Sequence, residues 1–127
     1  MRTLIPAILA AAALVASPAV AAKEKRTPEE QLSKLLEGRV AGAPKDCITL
    51  SSVDSSQVID KTAIVYRDGS TLWVNRPRSG ADSLNDDDVL VTKLTGSQLC
   101  SIDTVQLHDR SSHFWRGFVS LGEFVPY

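Results

Sequence analysis

The 127-residue sequence has no excess of basic charge and no cysteine beyond two. Past its first two dozen residues it has no long apolar run. Each absence removes a class of function. The chain carries 14 basic and 15 acidic side chains, and only Arg2 falls in the first 22 residues, so the remainder has a net charge of −2. No basic stripe exists to neutralise phosphates and no polybasic patch to sit on an anionic bilayer, which sets nucleic acid and the membrane surface aside as partners. Beyond the leader no apolar stretch is long enough to span a bilayer. There is no G-x-S-x-G elbow, no C-x-x-C pair, no EF-hand register, no internal repeat and no cofactor motif. Neither a cofactor nor a metal is therefore expected.

What is present begins with an export signal. Arg2 supplies a short positive n-region, Leu4 to Val15 is apolar but interrupted by Pro6, and Ala19-Val20-Ala21 is an A-x-A cleavage site. Val20-Ala21-Ala22 serves equally well, so a signal peptide over residues 1–22 is expected, ending at Ala21 or Ala22. No cysteine stands at the junction to anchor a lipid. About 105 residues remain, enough for one domain with a modest core, and the expected location is the periplasm or the exterior.

In an oxidising compartment Cys47 and Cys100 read as one disulfide. It would close a loop of about 53 residues and restrict the unfolded chain by about 4 kcal/mol. A metal site needs more ligands than two distant cysteines and two histidines on one short loop. Two buried free thiols are the competing reading.

Residues 23–45 divide into a charged leader, a short helix and a linker. Thr27-Pro28-Glu29-Glu30 is a helix start: Thr27 caps, Pro28 suits the first helical position and Glu30 completes a capping box. Leu32, Leu35 and Leu36 share one face and the pattern stops at Gly38. So short a helix is marginal alone and is expected to cover part of a sheet. An exposed partner-binding helix is the alternative.

From Asp46 to Tyr127 the apolar period is two. Strands are expected at Cys47–Leu50, Val53–Ile59, Thr62–Arg76 (a hairpin), Val89–Leu94, Leu99–Ile102 and Thr104–Leu107 on either side of Asp103, Phe114–Ser120 and Phe124–Val125. The fold class is mainly β: a small antiparallel barrel or sandwich with one N-terminal helix. The hairpin turns at Asp68-Gly69, which favours a two-residue type I′ loop and sets Val65 opposite Leu72. One hairpin face then carries Ala63, Val65, Leu72 and Val74, which suits a core. The other carries Ile64, Tyr66, Trp73 and Asn75.

That second face is the first candidate site. Tyr66 and Trp73 suit stacking on a sugar, peptide or aromatic group, with Asn75 and Arg76 supplying hydrogen bonds and Arg76-Pro77-Arg78 adding local positive charge. The same aromatics also fit a second buried face, under the N-terminal helix. The partner is a protein or small-molecule ligand of unknown identity.

Two other clusters carry chemistry. His108-Asp109-Arg110-Ser111-Ser112-His113 crowds catalytic residue types, but a nucleophile, base and orienter normally converge from separate elements, and a polar turn with two exposed histidines accounts for the run. Asp86-Asp87-Asp88, with Asp82 and Asn85 nearby, supplies oxygen ligands for calcium, or a solvated loop pairing with Arg76 or Arg78.

Several short motifs occur together in order: Cys47-Ile48, Ser55 to Asp60, the Ile64 to Gly69 hairpin, Val74 to Arg76, Leu99 to Asp103 and Ser120 to Pro126. Together they resemble a family of small exported proteins of Gram-negative bacteria classed as a domain of unknown function. The resemblance implies export and a compact β domain and implies no activity. Members often carry a further cysteine near the closing strand, where this chain has Ser120. The functional expectation is a non-enzymatic binding or interaction module. The alternatives are a small periplasmic hydrolase using His108, Asp109 or His113, and an envelope protein that pairs through an edge strand.

Overall fold

A computed structural model describes residues 26–94 and 96–127. The signal peptide expected over residues 1–22 lies outside the described residues. The first element is helix α1 (Pro28–Leu35), and its capping box is formed: the Glu30 amide donates to Thr27 Oγ1 and the Thr27 amide to a Glu30 carboxylate oxygen.

Among the described residues nine strands follow: β1 (Cys47–Thr49), β2 (Ser55–Ile59), β3 (Ala63–Asp68), β4 (Thr71–Asn75), β5 (Asp88–Thr92), β6 (Gln98–Cys100), β7 (Thr104–Asp109), β8 (Trp115–Ser120) and β9 (Phe124–Pro126). They form three antiparallel sheets, ordered β1-β6, β2-β3-β4-β9 and β5-β7-β8. None of the three closes on itself. The architecture is therefore sandwich-like rather than a barrel.

The hairpin register differs from the sequence expectation. Tyr66 pairs with Trp73 and Asp68 with Thr71, so the two-residue loop is Gly69-Ser70. The physical reason is local. A type I′ loop at Asp68-Gly69 would need Asp68 in the left-handed region, whereas here Gly69 takes the positive φ of 55° and Asp68 stays extended. Asp68 then accepts from the Ser52 hydroxyl, and the Gly69 amide donates to Asp54. Side chains alternate with period two, so this two-residue slide changes every partner and leaves each side chain on its expected face.

Both faces of the four-stranded sheet are covered. Ile59, Ala63, Val65, Leu72 and Val74 pack under α1 through Leu32, with Leu35 and Leu36 beside them. Val58, Ile64, Tyr66 and Phe124 face the other two sheets and meet Ile48, Leu99, Val105, Leu107 and Val119. The polar run between β4 and β5 is likewise tied in: its Leu84 is buried in this second core, and the Arg78 amide donates to the Ser120 carbonyl. The Gly38–Pro44 segment leads into β9 contacts, with Gly42 donating to Pro126 and Lys45 bridging Phe124. Cys47 and Cys100 face each other across β1 and β6 and form the expected disulfide.

Candidate functional site

The structure separates the four residues of the aromatic-face site. Tyr66 is 3% exposed, and Asn75 is fully buried. Trp73 is half-buried, its ring under the Lys45 ammonium at 5.7 Å, and Arg76 is exposed on the opposite face. The aromatic face is thus not an open surface. It is buried as the second expectation allowed, but by the other two sheets and not by the helix, which lies on the Ala63–Val65 face. The alternation made the first face apolar and the second amphipathic, and the helix meets the apolar one rather than the aromatic one.

Asn75 acts inward. Its side chain donates to the Gly122 carbonyl at 2.8 Å and accepts from the Gly122 amide at 2.9 Å. This double bond of backbone to side chain fixes the turn before β9. Gly122 approaches the Arg76 carbonyl so closely that a β-carbon there would collide with it. Asn75 is therefore a scaffold residue, and what it positions is a pocket on the other side of the strand.

That pocket has a volume of about 510 Å³ and is lined by residues of β4 and β9 and of the segments beside them. Val74, Val125 and Tyr127 supply apolar wall, Arg76 and Arg78 supply guanidinium groups, and Asp46 and Glu123 supply carboxylates. The two arginines differ. Arg76 makes a two-pronged ion pair with Glu29 of α1, at 2.9 and 3.2 Å. That bond holds the Glu29 carboxyl below its usual pKa and keeps Arg76 charged. Arg78 donates through Nε to the Leu121 carbonyl and through Nη2 to the Ser101 carbonyl. Those acceptors are neutral. Among the described residues no carboxylate stands within ion-pair distance of Arg78. Sequence reasoning picked out the Arg76-Pro77-Arg78 patch. It missed Val125 and Tyr127, which arrive from the far end of the chain through the pairing of β4 with β9.

The histidine cluster does not assemble into an acid–base pair. His108 Nδ1 meets the His113 carbonyl and its Nε2 meets the Gln106 amide oxygen, each at 3.3 Å. Asp109 accepts instead from the amides of Ser111 and Ser112, and these bonds hold its carboxyl below the usual range. The run is a capped turn, with His113 at φ 63° completing it. The acidic run is divided in the same way. Asp88 is buried against Arg116, Asp87 faces Arg110 at 3.5 Å, and Arg76 and Arg78 are engaged elsewhere. Among the described residues no group of three or more histidine, cysteine or acidic side chains is placed to hold a metal ion.

No family model matches the chain, and no curated protein or solved structure matches it either. Among the described residues no helix is long and apolar enough to cross a membrane.

Proposed function

We propose that the protein is an exported, non-enzymatic binding module whose ligand site is the pocket beside β4 and β9. The observation that carries this reading is the Arg78 guanidinium, held in place by two backbone carbonyls at the edge of a pocket with an apolar wall, with no carboxylate among the described residues within ion-pair distance of it, although Asp46 and Glu123 also line the pocket. A pocket of 510 Å³ is in the usual range for small-ligand sites, which combine apolar walls with a few fixed polar groups. The ligand class that fits is an anion with an apolar body, such as an aromatic carboxylate or the end of a peptide. Export to the periplasm or the exterior is supported by the A-x-A motif at Ala19 to Ala21 and by the Cys47–Cys100 disulfide.

The test is a screen of aromatic carboxylates against the isotope-labelled, oxidised protein, read by amide shifts. Binders are expected to move Val74, Gly122 and Val125, and to lose affinity in Arg78→Gln and in Val125→Glu. Undiminished affinity in both variants, or shifts confined to other surfaces, would sink the reading.

A further inference from the structure

A second surface, independent of the Arg78 pocket, is built from backbone. Strand β2 ends the four-stranded sheet and β5 ends the three-stranded one. In an antiparallel pair alternate residues turn their N–H and C=O groups away from the neighbour, so an edge strand presents a row of unpaired groups. Between these two edges run hollows of about 340 and 240 Å³. Ser56 and Leu90 line both, so the two are one continuous groove with β2 and β5 as its walls.

The other two edges of these sheets are protected. Strand β9 ends in Pro126 and is bridged by Gly42 and Lys45. Strand β8 carries an irregularity opposite Leu107 and His108, the charged Arg116, and a bridge from Ser120 to Ser79. Bulges, prolines and charged side chains are the usual means of keeping an edge from pairing. The sequence of β2 (SSQVI) holds no proline, glycine or charged residue, and the one charged residue of β5 (DVLVT), Asp88, is buried in its ion pair with Arg116.

A buried side chain points the same way. Tyr66 lines the groove, its hydroxyl is buried, and that hydroxyl has no hydrogen-bond partner among the described residues. A buried hydroxyl left unpaired is costly, and few native groups stay so. Leu50, Val53 and Leu90 make the apolar floor around it.

We propose that this groove is a strand-addition site for an extended polypeptide segment of a partner protein. The segment pairs its backbone with β2 and β5, lays alternate apolar side chains on the Leu50, Val53 and Leu90 floor, and sets a polar group against the Tyr66 hydroxyl. Main-chain pairing supplies affinity and the alternate pockets supply specificity.

The experiment pans a library of short linear displayed peptides against the oxidised protein and maps the enriched peptides by amide hydrogen exchange. Expected are peptides with period-two apolar patterning that slow exchange in both Ser55–Ile59 and Asp88–Thr92. N-methylation of alternate peptide amides should abolish binding. Tyr66→Phe should lower affinity about tenfold, the loss of one hydrogen bond, while the free protein keeps or raises its Tm. Failure to enrich any peptide, protection elsewhere, unimpaired binding by the N-methylated peptide, or unchanged affinity in Tyr66→Phe overturns the proposal. So does protection of both strands that rises with protein concentration alone, which would make a second copy the occupant.

Discussion

Asn75 and Gly122 hold each other across 47 residues of chain, the amide side chain of one closing a two-bond ring with the backbone of the other. Asn75 is fully buried, so each of those bonds replaces water that cannot enter. Asn75→Ala leaves the Gly122 N–H and C=O unpaired in the interior. A loss of about 2–6 kcal/mol is expected, from about 1–3 kcal/mol for each of the two orphaned groups. In a domain of this size each kcal/mol lowers Tm by about 4–8 °C. Thermal unfolding followed by circular dichroism checks it. A shift under a few degrees would mean that the turn before β9 is held by something else.

The two tryptophans should report opposite environments. Trp115 is 59% exposed on β8, whereas Trp73 is half-buried with its indole nitrogen out of water and without a partner. In Trp115→Phe the remaining emission should be blue-shifted and poorly quenched by iodide. In Trp73→Phe it should be red-shifted and readily quenched. The reverse order would place the aromatic hairpin face in solvent and restore Tyr66 and Trp73 as stacking candidates.

The disulfide joins strands that pair over only three residues each, β1 with β6. Most of its effect is then on the unfolded chain, whose loop of 53 residues it closes. Replacing both cysteines by alanine should cost about 4 kcal/mol. Denaturant titration of that variant beside the oxidised protein measures the difference, and equal midpoints would show that the small sheet stands without its staple.

The reach of the sequence followed the range of the interactions. The Thr27-Pro28-Glu30 cap is local, and α1 starts where that signal lies. The end of β2 at Ile59 and the faces of the hairpin were legible because period-two alternation needs no partner to be seen, although β2 starts at Ser55 and not at Val53. The hairpin register was not, because Asp68-Gly69 and Gly69-Ser70 both make two-residue loops and the choice turned on which residue takes a positive φ. The pairings of β1 with β6 and β4 with β9 join distant segments and leave no local mark. They bury Tyr66 and bring Val125 and Tyr127 beside Arg76 and Arg78. The aromatic face was therefore visible from the sequence, and its covering was not.

The Glu29–Arg76 pair gives a prediction with a definite pH direction. Glu29 is lowered from its usual value of 4.5, chiefly by the hydrogen bond from Arg76. A depressed carboxyl stabilises the fold above its unfolded pKa, and that contribution disappears as pH falls through the folded value. The side chains are 56% and 65% exposed, so solvent screens the pair and the effect is under about 1 kcal/mol. Glu29→Gln should be slightly less stable than the native chain at pH 7 and equal to it near pH 2. High salt should narrow the difference at pH 7. A gap that persists at acid pH would assign the effect to helix packing and not to charge.

Tyr66 sets the behaviour in alkali. Burial raises its hydroxyl well above the usual 10 because the phenolate cannot be solvated there. The unfolded chain releases this proton near pH 10 while the folded chain keeps it. The stabilisation is therefore complete below pH 10 and is lost as pH rises above it toward the folded value. Followed by absorbance at 295 nm, Tyr66 should ionise only as the fold opens. Tyr66→Phe removes both the unpaired hydroxyl and this proton linkage. It should be as stable as the native chain or about 1 kcal/mol more so at pH 7, and its advantage should widen above pH 10. A Tyr66→Phe protein that loses stability at neutral pH would mean that the hydroxyl is satisfied in solution. Such a result would remove the buried orphan from the β2–β5 groove and, with it, the side-chain half of the case for strand addition.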